Sequence, residues 1–253
     1  MIKATHIYKS FDDVEVLKDI NFVFEGGKTN LIIGKSGAGK TVLLKILVGL
    51  ITPTNGEVWF NDIDVCCIGK DQLRELRMQI GMLFQGNALF DSVTVEENIR
   101  FPMDMFTNQT DKEKRMQVDY CLERVSLEGI NNKYPSEISG GMQKRVGIAR
   151  AIVLNPKYLF CDEPNSGLDP KTAITIDELI SGLTKDLNIT TVINTHDMNS
   201  VMEIGDKICL LSKGVVAWSG SKDEILTNDN ETLINFIFAS PFLKRLRTQA
   251  LSN

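Results

Sequence analysis

The stretch "TNLIIGKSGAGKTVLLKILVGL", Thr29 to Leu50, decides how this chain folds. Its first residues, "TNLII" from Thr29 to Ile33, are mostly apolar and β-branched, as expected of a strand covered on both faces. "GKSGAGKT" (Gly34 to Thr41) follows and fits the pattern G-x-x-x-x-G-K-[ST], with a helical run after it. Gly34, Lys35, Ser36, Gly37, Ala38 and Gly39 are mainly small, so the backbone can wrap phosphates closely with successive N–H groups pointing inward. The helix starting near Gly39 adds its positive end. Lys40 supplies a mobile point charge for a γ-phosphate, and the Thr41 hydroxyl is a ligand for Mg²⁺. A plain Gly-rich turn between strand and helix is the alternative. The strand before and the helix after supply the context that nucleotide binding requires.

Working outward, two further apolar runs end in polar residues. "YLFC" (Tyr158 to Cys161) runs into Asp162 and Glu163, and "TTVIN" (Thr190 to Asn194) runs into Thr195 and His196. Such runs alternating with helical patterns predict parallel βαβ units, whose sites lie outside the carboxyl ends of the strands. Asp162 can hold Mg²⁺ directly or through water. Glu163, expected on the opposite face of the strand, is placed to orient and deprotonate an attacking water. The segment from about Gly86 to Arg150 reads as a mostly helical insertion. Thr94 and Glu97 form a capping box there, and Val118, Leu122 and Val125 share one face. The N-terminal segment, "GEVWFNDIDV" (Gly56 to Val65) and "KGVVAWSG" look antiparallel. From about Ser221 the chain becomes helical again, with Leu233, Phe236 and Ile237 at core spacing before Pro241 and a basic "LKRLR".

"ISGGMQKRVGIARA" begins at Ile138, with Ser139, Gly140 and Gly141 opening a helix that runs to about Leu154. A hydroxyl and free N–H groups at a helix N-terminus make a second phosphate-recognition element, although the P-loop already serves one triphosphate. Here the chain resembles the ATP-binding cassette family, whose "LSGGQ" signature docks on the nucleotide of the opposite subunit. The resemblance covers nearly the whole sequence. It implies an α/β fold: a P-loop NTPase (RecA-like) core, an antiparallel β subdomain and an inserted helical subdomain at about 86–150. The nucleotide-binding domain would span 1–220, and 221–253 would form a C-terminal helical tail. Phe11 sits where the family stacks an aromatic on adenine, a core Phe being the alternative. Gln85 in "MLFQ" matches the glutamine that senses Mg²⁺ and faces the membrane partner. "NSGLD" (Asn165 to Asp169) matches the loop that crosses the dimer interface, and His196 matches the switch histidine at the γ-phosphate. Met142 stands where the signature usually has Gln, and Gly167 where Ala is common. Lys40, Gln85, Glu163 and His196 are therefore the expected catalytic set, and Thr41, Gln85 and Asp162 the expected Mg²⁺ set.

Composition narrows the partners. The 253 residues carry a net charge of −5, which argues against a nucleic-acid partner. Five scattered cysteines without CxxC spacing read as reduced thiols. No apolar leader is visible, and the most apolar stretch, from Val42, is too short to span a bilayer and contains Lys45. The resemblance implies ATP and Mg²⁺ as cofactors, a second copy of the chain and integral membrane permease subunits as partners. Peripheral attachment to the cytoplasmic face of the inner membrane follows. "GMLFQGNALFDSVTVEENIRFPM" (Gly81 to Met103) and the "SGGM" form of the signature are similar to cassettes of Mla/Mce-type lipid transporters. They imply phospholipid as cargo and an Mce-type substrate-binding protein as a further partner. Another cassette importer or exporter (amino acid, lipoprotein), a soluble non-transport cassette ATPase and a pure nucleotide-binding regulator remain the alternatives.

Overall fold

The computed structural model describes residues 1–238, 245 and 247, so Pro241 and most of the basic run lie outside the described residues. The chain divides into two compact units, residues 1–68 with 192–253, and Gly69–Thr191. This division begins before the expected helical insertion at 86 and ends well after 150.

The first unit opens with β1 (Ile2–Phe11), β2 (Val14–Phe24) and β3 (Thr29–Ile33), then α1 (Lys40–Leu47), β4 (Asn55–Phe60) and β5 (Ile63–Asp64). One sheet has the order β2-β1-β4-β5 and is antiparallel throughout, as the alternation of these segments predicts. Ile2, Ala4 and Ile7 of β1 face inward with Leu17, Ile20, Phe22 and Phe24 of β2, while the residues between them are solvated.

In the second unit, α2 (Lys70–Met78) leads to β6 (Ile80–Leu83), α3 (Val95–Phe106) and α4 (Asp111–Arg124). Then come α5 (Gly140–Ile152), β7 (Tyr158–Asp162) and α6 (Pro170–Asp186). β6 and β7 pair in parallel, which leaves room for three helices in the crossover. Thr94 caps α3 as expected: its hydroxyl accepts from the Glu97 N–H, and the Glu97 carboxylate accepts from the Thr94 N–H at 2.7 Å. Thr110 and Glu113 repeat the device on α4. Val118, Leu122 and Val125 are buried, so the predicted stripe is the core face of α4.

β8 (Thr190–Asn194) begins in the second unit and ends in the first, where α7 (Met198–Ile204), β9 (Lys207–Ser212), β10 (Val215–Gly220) and α8 (Glu231–Ile237) follow. β9 and β10 form the late hairpin, and β9 pairs in parallel with β3. β3, β7 and β8 are buried at every position, in keeping with their continuous apolar runs. On α8, Leu233 and Ile237 are buried and Phe236 is half-buried. Among the described residues no helix is long and apolar enough to cross a membrane.

Candidate functional site

The phosphate loop joins β3 to α1, and its shape is enforced by what surrounds it. Gly34 has φ +149, and a Cβ there would lie 2.3 Å from the Leu211 carbonyl oxygen on β9. Gly37 has φ +79 at the exposed tip, where a Cβ would meet nothing within 4 Å. The Ala38 N–H returns to the Lys35 carbonyl at 3.1 Å and closes the turn. α1 is capped by Gly39, which has no side chain to offer, and carries no acidic residue in its first turn, so no side-chain anion of its own sits at its positive end. A hydroxyl or carboxylate at that position would have competed with a phosphate. The loop thus fits an anionic triphosphate.

Lys40 is folded back into the loop, its Nζ donating to the Gly34 carbonyl at 2.9 Å and the Lys35 carbonyl at 3.4 Å. It is only 8% exposed, so its ammonium is held in place against the cradle instead of sampling solvent. The Thr41 hydroxyl accepts from Asn194 Nδ2 at 3.1 Å. Asn194 is fully buried at the end of β8, and its contact leaves a Thr41 lone pair and the hydroxyl proton to be aimed elsewhere. His196 lies two residues on and is exposed. Just before it, the Thr195 N–H is tied to the Ile32 carbonyl of β3. The first unit thereby brings the strand ends of β3 and β8 together, with Lys40 and Thr41 opening α1, Asn194 ending β8 and His196 just beyond it. Phe11 ends β1, is 43% exposed, and has Lys9 Nζ 4.9 Å from its ring centroid. That exposure removes the reading of Phe11 as a core residue.

The remaining expected residues belong to the second unit. Asp162 ends β7 and is buried. Glu163 takes φ +50, a left-handed conformation uncommon outside Gly and Asn. Its direction is therefore set by a backbone twist just past the strand, and simple alternation along the pleat does not describe it. The Ser166 N–H bonds the Glu163 carbonyl at 3.1 Å, which holds the twist. In the next loop, Asn165 Nδ2 donates to the buried Asp177 carboxylate at 3.0 Å, and Asp169 caps α6 by accepting from Lys171 and Thr172 N–H groups. Gln85 is exposed, with Nε2 3.5 Å from Ser166 Oγ, the long limit for such a contact.

Ser139 caps α5, its hydroxyl accepting from the Met142 N–H at 3.3 Å. Ser139 and Gly140 are exposed and Gly141 is half-buried, so this helix start is open to a partner. Further along α5, Lys144 is 2% exposed, and Nζ donates to the Gln85 carbonyl at 2.7 Å. Burial lowers its pKa, while Cys161 and the Asp162 and Glu163 carboxylates pull the other way. Among the described residues, no three His, Cys, Asp or Glu side chains cluster with metal-binding geometry. Taken separately, the Thr41 hydroxyl of the first unit and the Asp162 carboxylate of the second are hard oxygen donors of the kind Mg²⁺ takes.

Asn194, Lys144, Arg150 and Asp177 were not singled out from the sequence. Asn194 and Lys144 lie inside motifs already recognised, and nothing local marks either as a contact to a distant loop.

The profile of the ABC transporter family matches residues 17–166. The "Probable ribonucleotide transport ATP-binding protein mkl" of Mycobacterium leprae is 35% identical over 236 residues, 93% of this chain and 68% of that one. The "Methionine import ATP-binding protein MetN" of Carboxydothermus hydrogenoformans is 40% identical over 217 residues, 85% of this chain and 64% of that one. The chain thus spans about two thirds of the length of such curated relatives. Among solved structures, the dimeric ATP-binding cassette MJ0796 bound to ADP and Pi superposes with TM-score 0.80 at 32% identity, covering 88% of this chain and 99% of that one. The cbiO1 protein of Clostridium perfringens, part of the ABC transporter complex cbiONQ, gives TM-score 0.84 at 28% identity over 98% of each chain. With the phosphate loop, the acidic strand end and the signature helix all in place, this chain belongs to the ABC transporter family and is one of its ATPase cassettes.

Proposed function

We propose that two copies of the chain close head to tail around two ATP molecules and thereby drive a membrane permease. The observation that carries this reading is the pairing of a complete phosphate loop with a second, exposed helix start at Ser139 in the same chain. Lys40 and the loop amides hold one triphosphate, while Ser139, Gly140 and Gly141 serve the nucleotide of the opposite copy. Only the closed pair meets both sides of the nucleotide, so ATP favours closure by differential affinity. Glu163 accepts a proton from the attacking water, and Gln85 and His196 orient water and γ-phosphate. Mg²⁺, on the Thr41 hydroxyl and Asp162, would neutralise charge on the leaving phosphate. Asn194 holds the Thr41 oxygen in position for that role. The dimeric cassette MJ0796 bound to ADP and Pi supports the paired arrangement.

The permease contact is assigned to an apolar groove of about 390 Å³ in the second unit, lined by Phe84, Ala88, Phe90, Phe101 and Phe106. Phe84, Phe90 and Phe101 are each at least 40% exposed, more than a lone soluble domain needs to show. The segment from Gly81 to Met103 and the "SGGM" signature favour a phospholipid cargo of the Mla/Mce type, with an Mce-type binding protein as partner. The relatives named for methionine and ribonucleotide transport favour a small-solute importer, which stands as the second reading. Peripheral attachment to the inner membrane follows from either.

Glu163→Gln tests the mechanism: it should bind ATP, accumulate as a dimer and lose turnover. Turnover at the wild-type rate removes Glu163 from the reaction. The cargo is tested by purifying the membrane complex in detergent. Co-purifying phospholipid with an Mce-type protein supports the first reading, and a periplasmic solute-binding protein with bound amino acid supports the second.

A further inference from the structure

The loop 85–88 is tied to α5 at nearly every carbonyl it has. Lys144 Nζ donates to the Gln85 carbonyl at 2.7 Å. Arg150 donates Nη2 to the Asn87 carbonyl at 2.6 Å and Nη1 to the Ala88 carbonyl at 2.7 Å. The Gly86 carbonyl accepts from the Ala88 N–H at 2.7 Å. Asn87 and Ala88 both have positive φ, +61 and +49, a conformation that residues with a Cβ hold only when their surroundings impose it. The helix also sits unusually close: a Cβ on Gly147 would lie 2.8 Å from Leu83 Cδ1 and 3.9 Å from the Asn87 Cβ. Two cations spent on neutral backbone carbonyls, one of them almost fully buried, need a reason beyond solubility. For both, burial pushes the pKa down, so their charge is retained at a cost.

We propose that Lys144 and Arg150 are positioning residues that lock the 85–88 loop onto α5, so that Gln85 and the helix start at Ser139 move as one body. Ala88, held by Arg150, also lines the apolar groove, and Phe90 follows it two residues later. Whatever seats in that groove therefore pushes on Gln85 and on Ser139 through the same two side chains. The consequence for turnover rests on the roles given above to Gln85 and Ser139. The lock itself does not.

The test uses the full chain carrying Lys144→Met, Lys144→Arg, Arg150→Met or Arg150→Lys. Amide hydrogen exchange without nucleotide reads the lock directly. Losing a charge-assisted hydrogen bond should raise exchange at 86–90 by about tenfold or more, leaving β7 and α6 unaltered. In hydrolysis assays, Lys144→Met should lower kcat by about tenfold while KM for ATP stays within about twofold, and Lys144→Arg should recover most of the loss. Unchanged exchange at 86–90 overturns the lock. So does exchange that rises evenly over the whole unit, which marks simple loss of stability. A loosened loop with wild-type kcat overturns the coupling. If Lys144→Met does not fold, Arg150→Met, which removes the bonds to the Asn87 and Ala88 carbonyls, decides by the same measurements. A wild-type chain that hydrolyses no ATP refutes the proposed function, while the exchange data still settle the lock.

Discussion

Substituting Ala for Gly34 and, separately, for Gly37 tests whether the phosphate loop is shaped by its neighbours or by local backbone freedom alone. Both glycines have positive φ, +149 and +79, so either substitution carries backbone strain of about 1–2 kcal/mol. At Gly37 that is the whole effect, because an added Cβ meets nothing within 4 Å. At Gly34 the Cβ would sit 2.3 Å from the Leu211 carbonyl oxygen and 3.4 Å from the Ala38 Cβ. The first of these is backbone on β9, which is paired with β3, so no side-chain rotation relieves the clash. Overpacking of this kind adds about 1–3 kcal/mol, giving roughly 2–5 kcal/mol in all and a gap between the variants near 2. Urea unfolding without nucleotide reads this gap. At a slope of about 3 kcal/mol/M it separates the midpoints by roughly 0.7 M, and in melting by about 4–8 °C. Coincident midpoints would refute the claim that the β3–β9 pairing dictates the loop. Nucleotide-free conditions matter, because bound ATP would stabilise the two variants unequally.

Other expectations follow from the same geometry. Ser139→Ala removes the cap of α5 and should lower stability by about 1 kcal/mol. Its ATP affinity as a dilute monomer should hold while turnover at high protein concentration falls more than about tenfold; a parallel loss of monomer affinity would place Ser139 on the chain's own nucleotide. Phe11→Ala should weaken ATP binding by about fivefold, the scale of one stacked ring, with little change in unfolding because the ring is exposed. An unchanged affinity in titration calorimetry would remove Phe11 from the adenine site. At pH 8 an aromatic disulfide reagent should titrate Cys66 and Cys67 in the native chain, and Cys121, Cys161 and Cys209 only after unfolding. Burial pushes Cys121 and Cys209 up to about 12 from an ordinary 9.0. Their neutral form is favoured in the folded state, so the stability they contribute is complete below pH 9 and lost between 9 and 12. The expected slope is about 1.4 kcal/mol per pH unit for each thiol, and urea midpoints flat across that range would refute the burial of these thiols as a pH-linked term.

Much of this was legible from residues alone, for a definite reason. β3, β7 and β8 are covered on both faces, and such strands announce themselves as apolar runs whatever their neighbours are. The caps at Thr94 and Ser139 are equally local, each made within a single turn. The bounds of the second unit are not a local pattern. α2 and β6 lie upstream of position 86, and Gly69–Thr191 form one unit because β6 pairs with β7 across three helices. No short-range pattern encodes that pairing. For Glu163 a pleat pattern has little to say, because alternation holds inside a strand, β7 ends at Asp162, and Glu163 itself takes φ +50.

The sequence by itself determined the chemistry on offer: a phosphate loop, an acidic strand end, a signature helix and the order in which they occur. Each is a contiguous pattern whose physics operates within a few residues. Only the tertiary structure decided that Asn194 holds Thr41, that β9 walls in Gly34, and that Lys144 and Arg150 reach back to the loop at 85–88. Those contacts join residues dozens to more than a hundred and fifty positions apart, and they exist because chain folding brings together groups whose attraction no local pattern records.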